Sequence, residues 1–337
     1  MEIKKGYIVG GIAIVLVLII LALVVPQATG MFGTQTTQET NTVRMGSLPV
    51  VHALPVYLAI EKGYFKEAGI DLQLVPLESP SQIIDGIMQN KLDFTSTSGA
   101  AGISAVANFK NPGKLKLYAL SGGTKENTNE TILIPIDSNI TSIKELKGKK
   151  FGIVGGSIQW KALAKYILET NGLEADKDVT IVEIPLGTHV TAIASKQIDA
   201  VLTMAPATTI ILNTNVGKVL SDGPLEKILS DPFYPGAGIV STKFANENPH
   251  TTAKVIEIIN KAVKEVEKNP TEARNYLLKY TPLSEELSKV VPLAQIKTCD
   301  EFDAQDIESL QKFYDLFTKY NLVDGKLDAK SILYCTK

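Results

Sequence analysis

Apolar and polar positions along the chain fall into one long uncharged run near the start and, from Val43 onward, a repeating alternation of short strands and amphipathic helices. Val43–Gly46 reads as a strand, followed by the turn Ser47–Ala53. Leu54–Glu67 carries Val56, Tyr57, Ala59, Ile60 and Phe65 at helical spacing, and Gly69 is its stop. Ile70–Pro76 alternates partly, as a strand does. Ser79-Pro80-Ser81 then opens a helix with Ile83, Ile84, Ile87 and Met88 on one face. Leu92–Ser96 begins a third strand, ending in the small-residue run Thr95–Ala100.

A second block repeats this order. Phe151–Val154 reads as a strand, Gly155-Gly156-Ser157 as a glycine turn, and a helix continues through Glu169 to the stop Asn171-Gly172. Strand Val179–Ile184, helix Thr188–Ser195 and strand Ile198–Thr203 follow. Such alternation predicts an α/β fold with mainly parallel sheets flanked by helices. Two blocks imply two lobes, with a ligand expected at the carboxyl ends of their strands. The expected first lobe is 44–120 plus 239–337, and the second is 131–220. The linkers 121–130 and 221–238 are rich in Gly, Pro and polar residues. Beyond Pro249 helices are expected over Val255–Lys268, Thr271–Tyr280, Ser284–Val291 and Ala304–Tyr320.

Composition narrows the function classes. With 337 residues, 45% hydrophobic and 21% charged, the chain can bury a full core. A net charge of −2 gives no electrostatic reason to expect nucleic acid. Arg occurs only as Arg44 and Arg274, so a carboxylate or phosphate site built on a bidentate guanidinium would need one of those two. Lys4 and Lys5 precede the uncharged run Tyr7–Val25, nineteen residues that as helix would span roughly 28 Å. Residues 1–30 therefore read either as a retained membrane anchor or as a signal peptide cleaved near Ala28-Thr29-Gly30. Both readings place the body of the protein outside the cytoplasm. Residues 31–43 make a polar tether. The two cysteines, Cys299 and Cys335, are either a disulfide suited to an oxidising compartment or two buried thiols. Their spacing offers no metal motif, and the three His form none.

Several phrases resemble a known family. His52-Ala53-Leu54-Pro55-Val56-Tyr57-Leu58-Ala59 runs into Glu61-Lys62-Gly63-Tyr64-Phe65-Lys66-Glu67-Ala68-Gly69-Ile70, and Leu146–Lys150 and Ile198–Val201 continue the pattern. Residues 43–242 are similar to the nitrate/sulfonate/taurine-type solute-binding proteins of ABC importers, a branch that also holds binders of pyrimidine vitamin precursors. The resemblance implies a two-lobed, type 2 periplasmic-binding-protein fold that closes on a small molecule and passes it to a permease. No cofactor is expected, and the protein is expected as a monomer. The fold also hosts a thiamine-pyrimidine synthase that consumes its own His and uses a Cys-rich motif, whereas here Cys299 and Cys335 lie far from any such cluster. A membrane-tethered sensor is the remaining alternative.

If two such lobes close, four turns and a floor converge on the ligand. Leu48–Ala53 offers Pro49 and His52, the latter either a donor whose charge responds near neutral pH or a helix cap. Glu78, Ser79 and Ser81 lie at a helix N-terminus, a natural seat for an anion, although Glu78 would oppose an anion and suit an amine, or be a solvated or capping carboxylate. Thr97 and Ser98 supply hydroxyls beside Gly99, either for a ligand or as helix caps. From the second lobe come Gly156, Ser157, Gln159 and Trp160, with Trp160 as an aromatic wall or a core ring. Thr203 and Met204 would complete the floor. Such a largely neutral set suits a small oxyanion or a neutral heterocycle.

Overall fold

The computed structural model describes residues 39–335, so the run Tyr7–Val25 and the expected anchor, signal peptide and most of the tether lie outside the described residues. The chain first lays down β1 (Thr42–Ser47), β2 (Asp71–Pro76), β3 (Phe94–Thr95), β4 (Gly99–Ala100) and β5 (Leu115–Gly123). It then crosses to a second sheet built from β6 (Glu130–Pro135), β7 (Lys150–Val154), β8 (Thr180–Ile184), β9 (Ala200–Met204) and β10 (Gly217–Asp222). It returns as β11 (Phe233–Ser241), and β12 (Gln295–Thr298) closes the edge of the first sheet. The first sheet has the order β12-β5-β11-β3-β1-β2, with β4 paired to β11, and the second has the order β10-β6-β9-β7-β8.

Strand direction follows from the crossings. β1 is parallel to β2 and β3, and β7 is parallel to β8 and β9, as strand–helix–strand units require. β11 inserts antiparallel between β3 and β5, and β6 inserts antiparallel between β9 and β10. Each inserted strand enters its lobe from the cleft and runs away from it, while its parallel neighbours run towards it. Both sheets are thus mixed rather than mainly parallel: the strand–helix–strand units are parallel, β11 and β6 are reversed where the chain changes lobes, and β12 also runs antiparallel to β5.

Three local expectations change. The helix expected over Leu54–Glu67 breaks into Leu54–Glu61 and Tyr64–Glu67, because Gly63 takes a left-handed φ of 76°. The stretch 221–238 is mostly ordered element: a helix, Pro224–Ile228, precedes β11, whose residues Phe233–Gly238 already pair with β5. The helix expected over Thr271–Tyr280 is a short turn of α-helix, Pro270–Ala273, continued by a 3-10 turn.

The long helix Pro249–Lys268 buries Val255, Ile259, Ala262 and Val263 against the helix Leu54–Glu61. That contact makes the family-like phrase part of a core. Behind the first sheet, Ala304–Lys319 contributes Phe313 and Phe317, packed edge-on to each other at 5.4 Å. Cys299 and Cys335 form a disulfide with a Cα–Cα distance of 5.4 Å, tying the chain end to β12. Closing a loop of this length stabilises the fold by about 3–4 kcal/mol in the chain-entropy picture. Among the described residues no helix is long and apolar enough to cross a membrane.

Candidate functional site

The carboxyl ends of the parallel strands in both lobes, β1 and β3 in one and β7 and β9 in the other, face one cleft. Its centre is a cavity of about 30 Å³ lined by Leu48, Val50, His52, Pro80 and Ser98–Ala100 from the first lobe, Gln159, Trp160 and Met204 from the second, and Pro235 and Gly236 of β11. Five expected site residues, His52, Ser98, Gln159, Trp160 and Met204, therefore meet.

Ser98 is held from below by a chain of hydroxyls. Its Oγ accepts from the Leu48 N–H at 3.0 Å and lies 2.6 Å from Ser96 Oγ, which donates to Ser47 Oγ at 2.9 Å. The Tyr57 hydroxyl donates to the Leu48 carbonyl at 2.8 Å, and burial pushes its pKa up to about 12. The turn Leu48–Val50 is thereby fixed by groups that the sequence pattern did not single out.

His52 is 4% exposed, and its Nδ1 has no hydrogen-bond partner. Burial lowers the imidazole pKa to about 4, partly offset by a hydrogen bond with the Asn129 side chain. The expectation of a charge responding near neutral pH is therefore corrected. The ring is neutral there, because an imidazolium would lose its hydration without gaining a counter-ion.

Gln159 spans the cleft. Its Oε1 accepts from the Gly102 N–H at 2.8 Å, and its Nε2 donates to the Pro235 carbonyl at 3.1 Å. Gly102 lies in the first turn of helix Ala101–Lys110, where backbone N–H groups lack partners within the helix. A Cβ at Gly102 would sit 2.5 Å from Phe317 Cζ and 2.9 Å from Gln159 Oε1, so this close approach requires glycine. Ser81 Oγ donates to the Gly156 carbonyl, a second bond between the lobes. The helices Glu285–Val290 and Ala207–Asn213 also touch across the cleft. The lobes are closed. Trp160, 1% exposed, both lines the cavity and packs into the core.

Other expected residues have different duties. Pro49 and Glu78 are exposed and do not line this cavity. Ser79 caps the helix Pro80–Met88, its Oγ accepting from the Gln82 N–H at 3.3 Å in a reciprocal capping box. Thr97 Oγ1 donates to the His52 carbonyl. Thr203 Oγ1 lies 2.9 Å from Nδ1 of His189, a buried ring whose pKa burial also lowers to about 4. Gly156 supplies a left-handed φ of 67°, and its N–H donates to Glu183 Oε2 at 3.0 Å. Ser157 Oγ is buried without a partner but lies outside the cavity lining.

Beside the central cavity, and sharing His52 with it, lies a larger one of about 360 Å³. Its walls come from the crossings (Asn127–Asn129, Thr131 and Asp222), from Ala205, Thr208 and Leu212 of the second lobe, and from Leu293 and Ala294. Thr208 Oγ1 is buried and unpartnered. Asn129 also reaches a buried pair of acids: its side-chain amide donates to Glu130 Oε1 at 2.5 Å, and its backbone N–H donates to Glu226 Oε1 at 2.8 Å. Burial raises both acids, Glu226 to about 7 and Glu130 well above its ordinary value with help from the neighbouring Glu226 charge. Asn127, Thr128, Asn129 and Asp222 fall in the stretches expected as linkers, and Thr131 in the expected second lobe; the polar run Asn127-Thr128-Asn129 is the signal that could have marked them.

Two α/β lobes, two crossings and an enclosed cleft at the strand ends define the architecture of the periplasmic binding proteins. Residues 51–273 match the family described as NMT1/THI5 like, and the chain belongs to that family. It is similar to a candidate aliphatic sulfonates-binding protein of Bacillus subtilis (strain 168), 28% identical over 340 residues and covering 98% of this chain and 94% of the relative. It is also similar to the 4-amino-5-hydroxymethyl-2-methylpyrimidine phosphate synthase THI5 of Saccharomyces cerevisiae, 25% identical over 294 residues and covering 81% and 79%. Among solved structures, the alkanesulfonate-binding protein SsuA from Xanthomonas axonopodis pv. citri bound to MOPS superimposes with a TM-score of 0.73 at 19% identity, over 89% of this chain and all (100%) of that one. The periplasmic nitrate-binding protein NrtA from Synechocystis PCC 6803 gives a TM-score of 0.70 at 14% identity, over 87% and 85%. At these identities the structures speak for the fold.

Proposed function

We propose that this protein captures a small molecule outside the cytoplasm by closing its lobes and delivers it unchanged to an ABC permease. The observation that carries the reading is the closed cleft itself, bridged by Gln159 and Ser81 around a buried His52 whose Nδ1 lacks a partner. An unpartnered buried nitrogen costs about 1–3 kcal/mol, which a ligand hydrogen bond would recover. A ligand touching both lobes binds the closed state better than the open one, and that difference drives closure. Relatives named for sulfonate binding, nitrate binding and pyrimidine phosphate synthesis support a small molecule as the ligand.

The synthase-like relative makes an enzyme the competing reading. Against it, both thiols of the chain are joined in the Cys299–Cys335 bond, so neither is free for metal or sulfur chemistry. The run Tyr7–Val25 is proposed to bring the chain to the membrane, where a monomer would meet its permease. The reading is tested by reconstituting a cognate permease in vesicles with this protein and measuring ATP hydrolysis. Stimulation that requires both protein and ligand is expected; ligand turnover without a permease would sink the proposal.

A further inference from the structure

The relatives point towards oxyanions, but the cavities of this chain do not match that charge. At about 30 Å³ the central cavity has room for only one or two waters. The natural anion seat beside it, the N-terminus of the ten-residue helix Ala101–Lys110, is already taken by the amide oxygen of Gln159. The side cavity, at about 360 Å³, falls in the range of small-molecule sites. No Lys or Arg lines either of these two cavities, whereas Glu126 and Asp222 stand on the side cavity's rim. Asp222 is oriented there by the Thr128 and Thr131 hydroxyls, which donate to its Oδ1 at 2.8 and 3.2 Å.

We infer that the body of the ligand occupies this side cavity, and that the ligand is a small, partly apolar nitrogenous base, neutral or protonated, rather than a sulfonate or nitrate. The inference rests on the binding-protein reading above. Two unpartnered buried atoms, His52 Nδ1 and Thr208 Oγ1, mark the polar contacts such a base would complete. Ala205, Leu212 and Leu293 supply apolar wall for its body. A sulfonate in the same place would face two carboxylates with no lining cation to offset them. An amino group would instead gain a hydroxyl acceptor and a favourable field. Both lobes and the crossings contribute to this wall, so its occupation couples directly to closure.

The test uses the full-length chain in mild detergent and four probes: 4-aminopyrimidine, n-butylamine, n-butanesulfonate and nitrate. Thermal midpoint and Trp160 fluorescence are the readouts. The expected result is a raised midpoint with one or both nitrogenous bases and none with the two anions. Thr208→Val, close in shape, should weaken that binding roughly fivefold. Asp222→Asn keeps the Oδ1 acceptor and removes the charge, so it should weaken n-butylamine more than the uncharged 4-aminopyrimidine. Stabilisation by n-butanesulfonate or nitrate, no shift with either base, or base binding untouched by Thr208→Val would each overturn the inference. The permease ATPase assay separates this failure from failure of the transport reading. Stimulation by an anion would keep the function and discard the ligand class.

Discussion

The central and side cavities share one wall, His52, and differ in nearly everything else. In the centre the chain satisfies most of its own polar groups: Ser98 rests on a hydroxyl chain, and Gln159 fills both a helix-end N–H and the Pro235 carbonyl. At the side, a cavity about twelve times larger keeps an unpartnered Thr208 hydroxyl and an acidic rim. The contrast teaches that the residues most easily expected to touch a ligand can instead serve as the latch. On the proposed reading, the place left for a ligand is a cavity whose lining has not completed its own hydrogen bonds.

The largest expected effect tests how far the central cavity is packing rather than site. Trp160→Ala should cost about 3–5 kcal/mol in denaturant unfolding, since the ring is almost wholly buried. A loss below about 1 kcal/mol would mean the ring is not a core element.

Next comes the acid pair behind the side cavity. Glu226 holds its proton more tightly folded than unfolded, with its pKa raised from 4.5 to about 7. Its stabilisation is therefore complete below about pH 4.5 and is lost as pH rises towards 7, a change on the order of 2–3 kcal/mol. Glu226→Gln should flatten that part of the stability–pH curve measured by chemical denaturation. His52 and His189, with pKa values lowered to about 4, act in the opposite sense, adding stability as pH rises from about 4 to 6.5. An unchanged slope in the Glu226 variant would remove the acid pair from the comparison.

Gln159→Ala removes both of its cross-lobe bonds. It should weaken the closed state by about 1–3 kcal/mol and enlarge the ligand-free radius of gyration in small-angle scattering. An unaltered radius would show that Gln159 is not the latch. The smallest effect belongs to the Glu78–Ser79 turn. Ser79→Ala should lower stability by about 1 kcal/mol through loss of the cap, with ligand affinity unchanged. Glu78→Gln should alter neither quantity, and a drop in affinity measured by calorimetry would return that turn to the site.

Much of the architecture was legible. Leu54–Glu61, Pro80–Met88 and Ile158–Thr170 show apolar spacing or end signals that a reader can follow, and the matched strands in the two blocks announce two lobes. β12 was missed because four residues, Gln295–Thr298, are too few to show a period and lie among helical segments. Of β11 only the end, Ile239-Val240-Ser241, reads as a strand returning to the first lobe, for another reason. Its glycines and Pro235 resemble a linker, although Gly236 and Gly238 are small because Ser121 and the Tyr118 ring pack against them. Of the site, His52, Ser98, Gln159, Trp160 and Met204 were identifiable as turn residues beside strand ends. Thr97, Thr203 and Ser79 look no different in sequence, yet their hydroxyls bond to neighbours in the chain.

By itself, then, the sequence determined the local periods, the two-block order and the family-like phrase, because each depends on residues a few positions apart. Tertiary structure alone decided which polar groups remain free. Gln159 bonds Gly102 and Pro235, 57 and 76 residues away, and His52 lies against Asn129 of the crossing. Whether a buried donor or acceptor awaits a ligand depends on what closure brings within about 3 Å of it. No local pattern encodes that distance.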